Sequence, residues 1–515
     1  MFRPGTKGSS TVTITEGHDV DARPRLSSAD PRDGRGVGSV PVHDAADVAD
    51  AVGRARADQP AWGRCSPAER ADHLRRIRGR LAARAGELAE VIAAETGKPD
   101  FDAMAEVLSC AVLFTHTARR APKVLAPEKV SAFPLYVKRA EIRYEPYGVV
   151  GVISPWNYPA FVPVQALSGV LAAGNTAVLK PSELTPLTGV LLAEIINEAG
   201  LPLVQVVTGD GATGAALSSS DVDKIAFTGS PATARHILRA AAEHLTPTVM
   251  ELGGKDAMIV CDDADVEAAA RTAVAGCFAN AGQTCIAVER VLVTRTNHVA
   301  FRDAAIRAAQ RVTVGPERTK HVGAITQPPQ IDVIEQRLRD ATTAGATVVV
   351  GGHRRDDLGA SFFEPTIVDG VRPDMALARE ETFGPVLSII PVDDVDDAVR
   401  VANDCDYGLA GSVFGRDRRV VDDVVERFAT GAISVNDALA TALVPGLPFG
   451  GVRSSGFGRL HGDAGIREFA VPKAVATSRL AVLPGLTASM FGSVRPSAAQ
   501  VGTVLRVLWG RGAGA

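Results

Sequence analysis

The sequence is poor in cysteine and in aromatic residues, and neither sign of charge dominates it. Six cysteines in 515 residues (Cys65, Cys110, Cys261, Cys277, Cys285 and Cys405) are scattered, with no C-x-x-C pair. That spacing argues against a disulfide framework or a zinc site and fits free thiols in a reducing compartment. Lys and Arg number 55 against 59 Asp and Glu, a formal net charge of −4, so no electrostatic case exists for nucleic acid or an anionic membrane as main partner. No apolar run reaches the roughly 18 residues of a spanning helix. Residues 1–38 are polar, without the apolar stretch of a signal peptide, and the expected location is the cytoplasm. No Walker A sequence occurs, and the junction Phe227-Thr228-Gly229-Ser230 lacks G-x-G-x-x-G. No cluster with metal-ligand spacing stands out.

What is present suits a folded chain with a large core: 46 % hydrophobic and 22 % charged residues. The length suggests about three folding units. Residues 1–40 read as a flexible arm. From Arg70 to Ala94 the residues Leu74, Ile77, Leu81, Leu88, Val91 and Ile92 recur at helical spacing, and Gly97-Lys98-Pro99 supplies a stop. Leu135-Tyr136-Val137 and Ile142-Arg143-Tyr144 read as short strands. From Val149 onward short β runs alternate with helices of about ten residues, the signature of parallel sheets with helical crossovers. A second such series follows residue 256, and two α/β units place a cleft between them. The tail from Ala481 is expected to be amphipathic and to pack on another subunit, in preference to a membrane surface.

Several residues are positioned for chemistry. Cys285, in Asn280-Ala281-Gly282-Gln283-Thr284-Cys285, has small and amide-bearing neighbours that leave a sulfur accessible; a lone cysteine is otherwise an inert core residue. Glu251 closes an apolar run and precedes two glycines, so it suits a general base in a cleft; the bland alternative is an ion pair with Lys255. Asn157 is presented between Pro155 and Pro159, either as a turn residue bonding its own backbone or as a donor to an oxyanion. Lys180-Pro181-Ser182-Glu183 follows a strand end, where open α/β sheets bind ligands, although a charged loop with Ser182 as helix cap is the plainer reading. Phe227-Thr228-Gly229-Ser230 is a strand–Gly–helix junction able to face a pyrophosphate.

In this order, and with Glu381-Thr382-Phe383-Gly384-Pro385 and Pro448-Phe449-Gly450-Gly451 following, the motifs resemble the aldehyde dehydrogenase superfamily from about His43 to Ala474. Within it the chain looks most like succinate-semialdehyde and broad-specificity enzymes. The resemblance implies an α/β fold of two Rossmann-like parallel-sheet domains and a small β oligomerisation arm. The cofactor-binding domain would span 41–122 and 141–253, the arm 123–140 and 466–479, the catalytic domain 254–465 and a C-terminal extension 480–515. Cys285 would be the nucleophile, Glu251 the base, and Asn157 with the Cys285 N–H the oxyanion hole. Thiolate attack gives a thiohemiacetal, hydride passes to the nicotinamide, and the thioester is hydrolysed.

NADP or NAD would be held by Lys180, Pro181, Ser182 and Glu183, by Gly229 and Ser230, by Glu381 and Phe383, and by Trp156, Asn157 and Leu252. Ala234 stands where the family commonly has a glycine. Glu183 favours the free 2′-hydroxyl of NAD, while Lys180 and Ser182 offset it for NADP. Phe161, Val162, Gln165, Ile286 and Leu443 would line the substrate pocket. Several semialdehyde enzymes carry Arg six positions before the nucleophile, where this chain has Ala279, so medium aliphatic or aromatic aldehydes stand beside succinate semialdehyde. A homodimer or homotetramer is implied. A CoA-acylating enzyme, a thiol hydrolase and a catalytically silent cofactor-binding relative are the competing readings.

Overall fold

Runs of β-branched and small apolar residues set the strands of the first unit. In the computed structural model, which describes residues 23–133, 138–479 and 497–509, Val149–Ile153 and Thr176–Lys180 are buried at every position. Strands buried throughout need cover on both faces, which parallel sheets obtain from their crossover helices. The six-stranded sheet runs Gly456–Phe457, Thr248–Glu251, Lys224–Thr228, Val149–Ile153, Thr176–Lys180, Val204–Val206. Its strands are parallel except Gly456–Phe457, which pairs antiparallel with Thr248–Glu251. On one face lie the helices Pro67–Ala83, Asp100–Val124 and Phe161–Ala173; on the other lie Ala45–Arg64 and Pro231–His244.

A seven-stranded sheet forms the second unit, in the order Thr347–Val350, Thr366–Asp369, Val386–Val392, Val288–Thr294, Asp256–Val260, Ala410–Phe414, Ala432–Val435. Only Thr347–Val350 pairs antiparallel. A separate antiparallel sheet joins Ala470–Ser478, Lys138–Pro146 and Glu128–Val130. Among the described residues no helix is long and apolar enough to cross a membrane.

Several expectations need correction. Part of the supposed flexible arm is a hairpin, Arg25–Ala29 with Gly36–Pro41, held by its own strand pairing and by packing near Leu187; residues 1–22 lie outside the described part. The periodic stretch 70–94 is two helices, Pro67–Ala83 and Ala85–Thr96, because the backbone turns at Arg84 (φ −107°, ψ 19°). Arg84 there pairs with Glu87, Glu194 and Glu198. The arm strand extends to Pro146, past the boundary at 140, and its partner starts at Ala470. Gly456–Phe457, placed with the catalytic domain, completes the first sheet. The run 135–137 lies outside the described residues; in the tail, Ala498–Trp509 is a helix.

Phe469 joins these parts. It is fully buried, meets the helix Phe161–Ala173 at Gly169, and its carbonyl accepts from Asn175 Nδ2 at 2.8 Å. Phe469→Ala is expected to destabilise the first unit by about 3–5 kcal/mol, measured by urea unfolding. A loss under about 1 kcal/mol would mean that the site collapses without leaving a cavity.

Candidate active site

The connection order of the first sheet creates the crevice. From Val149–Ile153 the chain builds outward through Thr176–Lys180 and Val204–Val206, then returns to place Lys224–Thr228 on the opposite side. Loops leaving the two central strands diverge at this switch point, where open α/β sheets bind ligands. Trp156 and Asn157 follow one of these strands; Gly229 and Ser230 follow the other. Ser230 caps the helix Pro231–His244, its Oγ accepting from Thr233 N at 3.2 Å. A Cβ at Gly229 would lie 2.5 Å from the Phe227 ring, so a side chain is excluded there. One strand over, buried Lys180 sits 3.4 Å from the carboxylate of Glu183, and burial lowers its pKa. Ser182 caps no helix; Thr185 holds that position before Pro186–Asn197, and the Ser182 hydroxyl accepts from Leu184 N.

The other wall comes from residues 381–383 of the second unit. The Trp156 and Phe383 rings meet edge to face at 5.5 Å, and Glu381 accepts from Gly254 N at 3.0 Å. Burial, with Glu289 adding, pushes Glu381 up to about 7. This loop is pinned from below. The Glu289 carboxylate accepts from Thr382 N at 2.8 Å and Phe383 N at 3.1 Å, and it is ion-paired with Lys255. Lys255 also donates to Thr382 Oγ1 at 3.1 Å. The network holds Phe383 at φ 51°, a conformation a non-glycine residue rarely takes unsupported. A helix N-terminus, a lysine beside an exposed carboxylate, an aromatic pair and a glycine with no room for a Cβ are together suited to a dinucleotide.

Glu251 and Cys285 line one cavity of about 200 Å³. Glu251 ends the strand Thr248–Glu251, is 2 % exposed, and neither carboxylate oxygen has a hydrogen-bond partner. The ion pair with Lys255 is not formed, since Lys255 is bound to Glu289. Burial therefore raises Glu251 well above the usual carboxylate range, with Arg459 opposing. Cys285 is partly exposed. Burial raises its thiol pKa, with Glu381, Asp256 and Glu251 adding. The thiol is thus not preionised by its surroundings. Backbone packing is close here, since a Cβ at Gly254 would stand 2.4 Å from the Cys285 carbonyl oxygen.

Asn157 reaches this cluster through Gln283, to whose carbonyl its Nδ2 donates at 2.9 Å. It does not bond its own backbone as a simple turn residue would. Its backbone carbonyl accepts from Lys98 Nζ at 2.8 Å and Asn280 Nδ2 at 3.0 Å. Lys98 is paired with Glu106 at 2.7 Å, and Glu106 accepts from Ala160 N and Phe161 N. Sequence reading missed Lys98, Glu106, Asn280 and Glu289 as site residues. Lys98 was visible only as part of a helix stop, and the spacing to Glu106 places the two together only once the chain turns at Pro99. Phe161, Val162, Gln165, Ile286 and Leu443 all line the cavity, as does Leu252. Its charged wall residues, Asp102, Glu106 and Glu251, are all acidic.

A family model described as the aldehyde dehydrogenase family matches residues 19–475. A protein of Mycolicibacterium smegmatis, provisionally named an NADP+ succinate-semialdehyde dehydrogenase, is 38 % identical over 90 % of each chain. The 4,4'-diapolycopene aldehyde oxidase of a Methylomonas species is 36 % identical over 88 % of this chain and 86 % of its own. The crystal structure of a Mycobacterium tuberculosis aldehyde dehydrogenase complexed with NAD+ superposes with a TM-score of 0.84, at 37 % identity, covering 88 % of this chain and 94 % of that one.

Removing the unpartnered charge of Glu251 has a calculable sign. Its folded pKa lies above the unfolded value of about 4.3, so its contribution to stability is complete below that pH and is lost as pH rises through the folded pKa. Glu251→Gln is therefore expected to gain stability over the native chain between pH 5 and 8, by about 1–3 kcal/mol at the upper end. Denaturant titrations at several pH values measure it, and a difference independent of pH would refute the assignment.

Proposed function

Because the chain belongs to the aldehyde dehydrogenase family, we propose that it oxidises an aldehyde to the carboxylic acid through covalent intermediates on Cys285. It is an oxidoreductase acting on aldehydes, with NADP or NAD as cofactor. The observation that carries the mechanism is the shared cavity of a partly exposed thiol and a buried carboxylate with both oxygens free. Glu251 is suited to accept the Cys285 proton as sulfur attacks the carbonyl carbon, because burial makes the carboxylate basic. The developing oxyanion is met by the second N–H of Asn157 Nδ2 and the backbone N–H of Cys285. When bound, the nicotinamide supplies the hydride acceptor that no side chain provides. After releasing that first proton to solvent, Glu251 takes a proton from water, hydroxide adds to the thioester carbonyl, and the acid leaves as the departing sulfur takes the proton back from Glu251.

Trp156, Lys180, Pro181, Ser182, Glu183, Gly229, Ser230, Leu252, Glu381 and Phe383 hold the cofactor in this reading. The cavity favours uncharged aliphatic or aromatic aldehydes. With Ala279 in the wall and no cationic side chain among the described lining residues, a substrate carboxylate would lose its hydration there without gaining a charge partner. The relative's name keeps succinate semialdehyde as the alternative. Among the described residues the strand Ala470–Ser478 has one edge unpaired in its sheet, and pairing there with a second copy would build a dimer or tetramer.

Purified protein is expected to reduce NAD or NADP with hexanal or benzaldehyde faster than with succinate semialdehyde, followed by absorbance. Cys285→Ala abolishes this turnover. Glu251→Gln lowers steady-state turnover by about 10²–10⁴-fold. Turnover undiminished in Cys285→Ala would rule out the covalent route, and a preference for succinate semialdehyde would overturn the substrate assignment.

A further inference from the structure

A cavity larger than the catalytic one takes no part in the chemistry above. It measures about 480 Å³ and opens between the first turn of the helix Asp100–Val124, the helices Val266–Phe278 and Arg295–Ala309, and the loop 319–322. Asp102 and Ala279 are the two residues it shares with the catalytic cavity. Its volume lies within the roughly 300–1,000 Å³ of small-molecule sites.

Its floor and its rim differ in kind. Buried Val274, Phe278 and Val322, with half-buried Val312, make an apolar floor. Phe101 stands at the rim with 80 % of its surface exposed. Three cations share that rim, and none is closely engaged. Arg311 makes no ion pair or side-chain hydrogen bond among the described residues. Arg271 reaches only Glu267, at 3.9 Å, and Glu267 is held more closely by Arg307. Lys320 reaches only Glu317, at 3.8 Å. His321 is in the wall as well, its Nδ1 accepting from Thr313 N at 3.1 Å. Loosely held cations beside an apolar floor are complementary to a ligand with an anionic head and a hydrocarbon body.

The acids nearby limit the head to a single charge. Asp102 is the one acid in the wall, and Glu267 and Glu317 stand beside Arg271 and Lys320. A dianionic phosphate would meet repulsion from all three, whereas a carboxylate brings one charge and matches a guanidinium fork in two parallel hydrogen bonds. Asp102 also ties the cavity to the reacting residues. The backbone N–H of Asn280 favours its carboxylate form, and Asn280 and Ala281 hold left-handed backbone (φ 51° and 56°) just before Cys285.

We propose that this cavity is a second ligand site, for an alkyl carboxylate, with the head on Arg271, Arg311 and Lys320 and the hydrocarbon on Val274, Phe278, Val312 and Val322 beneath Phe101. The acid formed from an apolar aldehyde is an anion of this class, so the enzyme's own product binds behind the wall of the site that forms it. That identification rests on the reading that aldehydes are oxidised at Cys285; the binding itself does not.

Isothermal titration calorimetry of the whole chain with decanoate, decanol, acetate and decyl phosphate tests it. Decanoate is expected to bind about tenfold or more tightly than decanol, which lacks the charge, and than acetate, which lacks the hydrocarbon. Arg311→Glu and Arg271→Glu are each expected to weaken decanoate about tenfold or more while leaving decanol within about twofold. Ala275→Trp fills the space without changing its charge and is expected to weaken both. These three residues lie outside the catalytic cavity, so hexanal turnover stays within about twofold in each variant. Decanoate affinity unchanged in both arginine variants puts the ligand elsewhere and overturns the site, as does the absence of decanoate binding. Decyl phosphate binding about tenfold or more tightly than decanoate overturns the carboxylate assignment. If no aldehyde is oxidised, the reading of the reaction falls with the identification of the product, and the calorimetry still decides the site.

Discussion

Buried ammonium groups around Cys285 are already committed to other carboxylates, and the site depends on that allocation. Lys98 is held by Glu106, and Lys255 by Glu289, with all four side chains almost wholly removed from solvent. A buried pair costs desolvation of both ions and repays it only when the remaining hydrogen bonds are also made. Here they are made to backbone and side chain. Lys98 holds the Asn157 carbonyl, Glu106 holds the turn into the next helix, and Glu289 holds the Thr382 and Phe383 amides. Each pair therefore fixes a loop by hydrogen bonds to its backbone. Removing either member would leave its partner charged and buried and would release the loop.

The same allocation leaves Glu251 without a counterion in contact. Arg459 is the nearest favourable charge acting on it, but its guanidinium donates to the carbonyls of Gly451 and Gly458. A carboxylate so placed binds protons more tightly than one in water, at the expense of folding stability. The raised thiol pKa of Cys285 has the same origin, burial among acids. Burial thus raises the proton affinity of the thiol and of the carboxylate together. A carboxyl group perturbed in this way inside a cavity is typical of functional sites.

What was legible in the sequence was local. Strand–turn junctions such as Val149–Pro155 and Phe227–Ser230 carry period, punctuation and chemistry within a few residues, and the fold places them at one switch point. Lys180 and Glu183, or Cys285 and the left-handed Asn280-Ala281 turn before it, are likewise close in the chain. Glu289 was illegible because it lies in a buried strand and meets Lys255 and Thr382 only through sheet pairing. The hairpin at 25–41 was missed because its strands are short and polar, so no period marks them. The break at Arg84 was hidden for the converse reason: both helices keep apolar spacing across a turn set by ion pairs from another helix.

The division between local and distant determinants also separates the rigid from the tolerant walls of the cavity. The reacting end of the site is built from turns in which backbone geometry leaves little freedom: Gly254 lies against the Cys285 carbonyl, and Gly282 admits no Cβ beside Gly384. Substitution there displaces the thiol itself. The far end is built from outward positions of one long helix, Asp100–Val124, and from the segment after residue 439. Exposed helix positions tolerate exchange with small effects on stability. Exchange at Leu108 or Val112 is therefore cheap for the fold, whereas a side chain at Gly254 or Gly282 would meet backbone.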